Sequence, residues 1–411
     1  MSTSTQAGGF FPLFKKRAFI AMWLAQTISG FGDGVARIAL LLLVTEKTSS
    51  PVALSVVAFA QAVPAIVLGP VAGVLIDRFD RKAVMAATDL LRAAVIAAAI
   101  WAPSLTYLYL LSFAMGALGA VFNPARSTVM PEMAGRDNYL AANGLAGMAT
   151  QATMILGPAA GGLIAGLWGT GSAFLIDAAT FLISSLSILL LPIPRPAQNT
   201  GHASFWRQLA GGASTVWREP RRRFVFGIYT PVILVMGSSG ILLVDYLRNG
   251  LRVSPQQLGL VEAAPATGLI LSVTLVGQFG RKSRPGRLIL NSITGLGLVS
   301  SLFLFKPGYG VAVLLVWLLG AADGLSDVPI NTLLLTLVPD EMRGRVFAAI
   351  NALARFGGMV GLAVAGPLAA LLGAHRVMGV AGVLALMIGV LGRKSSSYVE
   401  LNQTTFEVSR E

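Results

Sequence analysis

Twelve apolar runs, each long enough to cross a bilayer, follow one another along this chain, and one long polar gap divides them six and six. They read at about residues 18–44, 52–76, 84–103, 105–129, 140–168, 172–193, 224–247, 256–279, 287–305, 309–338, 346–372 and 376–392. A helix needs about 20 apolar residues to span the hydrocarbon core. No water is present there to satisfy backbone N–H and C=O groups, so each run is expected to be helical. Only 12% of residues are charged, against about 25% in soluble domains, which is too few to keep a soluble surface wet. The expected fold class is an all-α membrane protein with twelve transmembrane helices in two pseudo-symmetric six-helix bundles. Its parts are a tail (1–17), a bundle (18–193), a basic, Pro-rich loop (194–223), a second bundle (224–392) and a second tail (393–411).

Charge placement orients the chain, because Lys and Arg stay on the cytoplasmic side. With both termini inside, five of the 31 basic residues fall outside (Lys47, Arg248, Arg252, Lys306 and Arg376) and three within spans (Arg37, Arg92 and Arg355). All others, Arg126 and Arg136 among them, count as cytoplasmic. The net charge of +13 then reflects orientation beside an anionic leaflet, and nucleic acid is not an expected partner.

Soluble chemistries lack equipment. There is no Cys and there are only two His, His202 and His375, so thiolate and metal sites are not expected. No phosphate-binding loop, H-E-x-x-H helix or G-x-S-x-G elbow occurs, and neither enzymatic activity nor a cofactor is expected. The polar first 17 residues, followed by a long run containing Asp33 and Arg37, do not read as a cleaved signal peptide.

The halves echo each other at about 200 residues' separation. Pro131 and Asn143 are matched by Pro339 and Asn351, Gly157-Pro158 by Gly366-Pro367, and Arg81-Lys82 by Arg281-Lys282. Duplicated parallel halves are the arrangement that alternating-access transporters use.

At these residues the sequence resembles the major facilitator superfamily over essentially its whole length. Gly73-Val-Leu-Ile-Asp77-Arg78-Phe-Asp80-Arg81-Lys82 resembles the superfamily's loop signature between spans two and three, with Asp80 in place of the usual glycine. Together with Asp89-Leu-Leu-Arg92 and Phe122-Asn-Pro-Ala-Arg126, that variant resembles the branch of macrolide efflux pumps and enterobactin exporters. Gly157-Pro158-Ala-Ala-Gly161-Gly162 resembles a motif of the superfamily's antiporters and implies export. One arginine that other drug antiporters carry in span four is missing, its position falling on Ser112.

The residues can also be read physically. Gly73, Asp77, Arg78, Arg81, Lys82, Asp89 and Arg92 are candidates for gating, since a carboxylate among bases can hold a neighbouring helix end in one state and release it in another; simple topology signals are the alternative. Gly157, Pro158, Gly161 and Gly162 permit close, slightly kinked helix packing, with ordinary helix adhesion as the alternative. Ionisable groups within spans default to function. Asp33 and Arg37 lie four apart and either neutralise each other or take part in transport. Asp323 and Asp327, also four apart, should not both ionise easily; they are candidates for proton coupling or substrate contact, unless Arg355 holds one as a fixed pair. Glu262 is a lone acid suited to a proton or a cationic substrate. Asp177 and Asp245 sit close to the outer boundary, where hydration is the simpler reading. Met22, Trp23, Phe31, Phe59, Gln61, Met148, Gln151, Met154, Met236 and Phe356 are candidates for an adaptable apolar cavity.

The resulting expectation is a secondary active exporter of an amphiphilic or hydrophobic small molecule, a drug or siderophore as the resemblance implies. It would work by alternating access coupled to proton antiport, as a monomer among the lipids of the cytoplasmic membrane. A lipid or lysophospholipid flippase of the same fold, or a non-transporting membrane protein, are the alternatives.

Overall fold

The computed structural model describes residues 10–69, 76, 78–193, 214, 219–279, 284–338 and 340–395. Gly73 and Asp77 lie outside this set, as do Gly280, Arg281, Lys282 and most of the central loop. Among the described residues the structure is helical throughout. After a short turn at Phe10–Phe14 come α1 (Arg17–Lys47), α2 (Pro51–Val67), α3 (Arg81–Ala98), α4 (Leu105–Ala134), α5 (Tyr139–Trp168) and α6 (Thr170–Leu190). The second half comprises α7 in two pieces (Pro220–Met236 and Ser239–Asp245), α8 (Pro255–Phe279), α9 (Pro285–Ser301), α10 (Tyr309–Leu337), α11 (Asp340–Leu372) and α12 (Ala374–Gly392). Eleven of these are long and apolar enough to cross a membrane; α2, at 17 described residues, is shorter. This is the twelve-helix arrangement in two halves that the apolar runs anticipate.

Local chemistry sets the helix ends. Asp80, the departure from glycine in the loop signature, accepts the Lys82 N–H at 2.9 Å and N-caps α3, as short acceptor side chains do. Ser104 caps α4 in the same way. Gly135, Gly169 and Gly373 end α4, α5 and α11 at φ of 80°, 83° and 87°, a conformation costly for any residue with a Cβ. Span seven is not the continuous run the sequence suggests: it breaks at Gly237–Ser238 and finishes in a wider turn over Tyr246–Gly250.

The chain forms two compact units. The first comprises the described residues of Met1–Lys47, Ala60–Thr200 and Ser254–Leu260; the second, those of Thr48–Phe59, Gly201–Val253 and Val261–Glu411. In the first, α1 packs on α5 and α6, and α3 on α4 and α6; in the second, α7 packs on α11 and α12, and α9 on α10 and α12. The pairings repeat, as the sequence echoes require. Bulky apolar side chains such as Trp168, Leu175, Leu190 and Leu371 remain exposed, which fits lipid as the outer solvent.

Candidate functional site

The first unit carries a charged cluster inside its helices. Asp89 on α3 is fully buried. Its Oδ2 accepts from Ser184 Oγ on α6 at 2.6 Å, and Ser184 in turn accepts from Gln26 Nε2 on α1 at 2.9 Å. Its Oδ1 faces Arg92 Nη1 at 3.4 Å. The Arg92 guanidinium lies 4.5 Å from the centre of the Phe122 ring and 5.5 Å from that of Phe181, a setting in which ring faces help hold a cation. Gly119 makes room for it, since a Cβ there would stand 3.1 Å from Nη2.

Asp33 and Asp177 complete the cluster. Asp33 on α1 is within electrostatic reach of Arg92 and Arg126, while Asp177 feels Asp33, Arg92 and Asp89. Asp33 and Arg37 are both exposed on α1. Asp177 corrects the reading of a hydrated boundary acid: it is fully buried. Its Oδ1 accepts from Thr180 Oγ1 at 3.3 Å, and its Oδ2 has no hydrogen-bond partner. Gly32 on α1 permits this, because a Cβ there would lie 2.5 Å from Asp177 Oδ1. Arg126 lies inside α4, near its C-terminal end, and acts on Asp33 and Asp89. Ser112, where an arginine was missing, is buried and donates to the Leu108 carbonyl; α3 and α4 supply guanidiniums from Arg92 and Arg126 instead.

The loop-signature bases hold helix ends. Arg81 pairs with Glu132 near the end of α4 at 3.1 Å, an acid the sequence reading did not single out. Lys82 Nζ donates to the Leu191 carbonyl at the end of α6 at 2.9 Å, and Lys16 Nζ to the Ala134 carbonyl ending α4 at 2.6 Å, where cations complement helix C-termini. Arg78 is exposed.

The α5 glycines divide between two partners. A Cβ on Gly157 would meet Gly34 Cα at 2.8 Å, and one on Gly161 the Val35 carbonyl at 2.7 Å, both on α1. One on Gly162 would meet Gly259 Cα of α8 at 2.8 Å. Pro158 is buried, and its carbonyl would meet a Cβ on Gly259 at 2.5 Å. By contact, Gly366, facing Ser55 of α2, therefore corresponds to Gly162; the counterpart of Gly157 is Gly358, which approaches Gly237 of α7.

In the second unit a cavity of roughly 330 Å3 adjoins the break in α7. Met236 and Asp323 line it. Glu262 is half-buried on α8, Arg355 is exposed on α11, and Asp327 lies on α10 with its side chain outside the described set. Among the other cavity candidates Met22 is a correction: it is fully buried in an apolar core with Phe19, Met85 and Phe122, so packing consumes its surface. Phe31 packs against a second core. Trp23 donates to the Leu145 carbonyl at 3.2 Å. Met148, Met154, Phe356 and Gln61 are exposed, and Phe59 and Gln151 are half-exposed. Asp245 is another correction: it is buried, accepting from Asn249 at 2.7 Å.

Similarity to known proteins follows the same outline. The multidrug efflux pump Tap of Mycolicibacterium fortuitum is 27% identical over 398 residues, covering 92% of this chain and 95% of that protein. The enterobactin exporter EntS of Escherichia coli is 29% identical over 383 residues, covering 91% and 90%. The crystal structure of the nucleoside transporter NupG shares the fold, with a TM-score of 0.74 at 14% identity over 95% of this chain and all of that one. The family model for the Major Facilitator Superfamily matches twice, over residues 22–247 and 225–395. The chain belongs to the Major Facilitator Superfamily and is a multi-pass membrane transporter.

Proposed function

We propose that this transporter exports amphiphilic or hydrophobic small molecules from the cytoplasm by alternating access, in exchange for protons, working as a monomer in the cytoplasmic membrane with both termini inside. The cluster in the first unit carries this reading: two buried carboxyls, Asp89 and Asp177, and the exposed carboxyl of Asp33 lie within electrostatic reach of Arg92 on α3, and Arg126 on α4 acts on Asp33 and Asp89. A surplus acid in a water-poor interior is a place where a proton can be loaded and unloaded, and Asp33, the exposed member, is the one a proton can reach. Relatives named as a multidrug efflux pump and as an enterobactin exporter support the direction and the class of substrate. Asp77 and the bases Arg78, Arg81 and Lys82 serve as the cytoplasmic gate in this scheme, and the Gly157, Gly161 and Gly162 contacts are the surfaces along which helices slide.

The test is efflux of a panel of fluorescent amphiphiles from cells, with and without an uncoupler. Export against a gradient that stops on uncoupling, and that Asp33→Asn abolishes without loss of protein from the membrane, is the expected result. Export unaffected by the uncoupler removes the proton antiport, and equilibration of a lipid alone would replace it with flippase activity.

A further inference from the structure

At the end of the second unit that the charge count places outside, positive charge gathers where topology does not ask for it. Lys and Arg normally stay on the cytoplasmic side, yet Lys306 follows the turn Leu302–Phe305 that ends α9, and Arg376 stands in the first turn of α12. His375 is within electrostatic reach of both. The two elements meet backbone to backbone: a Cβ on Gly379 of α12 would stand 2.9 Å from the Leu304 nitrogen. Lys306 is two residues on from Leu304, and His375 one turn further out from Gly379.

The frame beneath these bases is fixed. Tyr246, buried at the end of α7, donates its hydroxyl to the Pro307 carbonyl at 2.6 Å. Its ring centre lies 5.9 Å from that of Phe303 and 6.1 Å from that of His375. Lys306 is held left-handed at φ 50°, a conformation costly for a residue with a Cβ, and its N–H donates to the Phe303 carbonyl at 3.1 Å. The side chains, by contrast, are unspent. Arg248 gives its Nη1 to the Val253 carbonyl at 2.6 Å, but among the described residues Lys306, His375 and Arg376 form no hydrogen bond or ion pair through their side chains. Bases without a counter-charge repel one another and attract an anion. Lys306 and Arg376 are exposed, and apolar surface adjoins them, since Phe305 is 80% exposed.

From this corner we infer that the second unit binds an anionic phospholipid of the leaflet facing away from the cytoplasm, its phosphate held by Lys306 and Arg376, with an N–H of His375 as a further donor and Phe305 against its acyl chains. An arginine suits a phosphate because its N–H groups meet two oxygens at once. A zwitterionic headgroup would bring a cation of its own into the cluster, and a free phosphate has no chain to cover Phe305. The site goes beyond the exporter reading and rests on it only for the side of the membrane.

Native mass spectrometry of the delipidated full-length protein, titrated with dioleoylphosphatidylglycerol or dioleoylphosphatidylcholine, counts the lipids bound. The first phosphatidylglycerol should bind at least about tenfold more tightly than the first phosphatidylcholine. Lys306→Asn combined with Arg376→Gln should remove that preference; both positions are exposed and asparagine accepts the left-handed backbone, so the fold is kept. Lys306→Arg combined with Arg376→Lys should retain the preference. So should Lys15→Gln with Arg17→Gln, which neutralises two exposed bases of the first unit. Excess inorganic phosphate, added at constant ionic strength so that screening is matched, should not displace the lipid. Equal affinity for the two lipids, a preference that survives neutralisation of Lys306 and Arg376, or one lost in either control pair overturns the site. Displacement by phosphate overturns the lipid as its occupant in favour of a soluble anion. Because bound lipid is read and not flux, failure here leaves export untouched, and a protein that moves none of the amphiphile panel can still show the site.

Discussion

The helix pair α3–α6 in the first unit and its counterpart α9–α12 in the second solve one packing problem with different chemistry. In the first, polar bonds join the helices: Ser184 donates to Asp89, and Ser185 Oγ donates to the Ala86 carbonyl at 2.9 Å. In the second a serine bond also crosses, Ser300 Oγ donating to the Met378 carbonyl at 3.0 Å, but no buried charge takes part and the helices approach until backbones touch. A Cβ on Gly297 would collide with the backbone of Leu386, one on Gly382 with that of Ser301, and one on Gly389 would stand 2.6 Å from Thr294 Oγ1. At the positions matching Asp89 and Arg92 the second half has Ile289 and Ser292, both buried, and Ser292 spends its hydroxyl on the Ala322 carbonyl. Small residues give van der Waals adhesion without a charge to shield, whereas a buried ion pair is a poor source of net stability. The first half therefore carries charge that adhesion does not require, which places the surplus with function.

Exchanging the two chemistries tests this most severely. Asp89→Ile alone should destabilise the protein by about 3–5 kcal/mol, because Arg92 is left buried without its carboxylate. Asp89→Ile combined with Arg92→Ser, copying the second half, should recover most of that loss while export stays absent. Thermal unfolding in detergent reads the first effect and efflux the second; a double variant that still exports would place the charges with packing after all. Next in size is Gly297→Ala, expected to cost about 1–3 kcal/mol by overpacking, since the obstructing atoms are backbone and cannot rotate away. Ser184→Ala should cost about 1–3 kcal/mol by leaving Asp89 Oδ2 without its donor, and a loss as small as a surface substitution would mean that the chain from Gln26 to Asp89 contributes little.

The sequence reading reached much of this layout, and its failures have physical causes. Span number and pairing were legible because lipid demands long apolar runs and because the halves repeat. Asp89 and Arg92 were legible through the family resemblance of Asp89-Leu-Leu-Arg92, and the α5 glycines by their four-residue spacing. Their partners were equally visible, since Gly30 and Gly34 have the same spacing in α1, yet adhesion needs two surfaces and only one was sought. Asp177 was misplaced because distance along a helix measures depth in the membrane and says nothing about which face is buried; the Gly32 gap that admits it belongs to another helix. Met22 was misassigned for the same reason. The break in α7 has Pro231 and Gly237-Ser238-Ser239-Gly240 as its signal, a run of small residues that apolarity alone passes over.

The smallest expected effect concerns the end of the first unit rather than its interior. Arg81 and Glu132 form an ion pair whose carboxylate side is 38% exposed, and such pairs contribute about 0–1 kcal/mol to stability. Glu132→Gln should therefore leave the unfolding temperature within a degree or two, given about 2–4 °C per kcal/mol for chains of 150–250 residues, and less for one this long. If Arg81 belongs to a gate, the same change should alter transport, because releasing the guanidinium from α4 shifts the balance between open and closed states without touching the fold. Efflux rate set beside unfolding temperature separates the two roles: a changed rate at constant stability assigns the pair to gating, and no change in either assigns Arg81 to topology alone, as a positive charge that keeps its end of α3 in the cytoplasm.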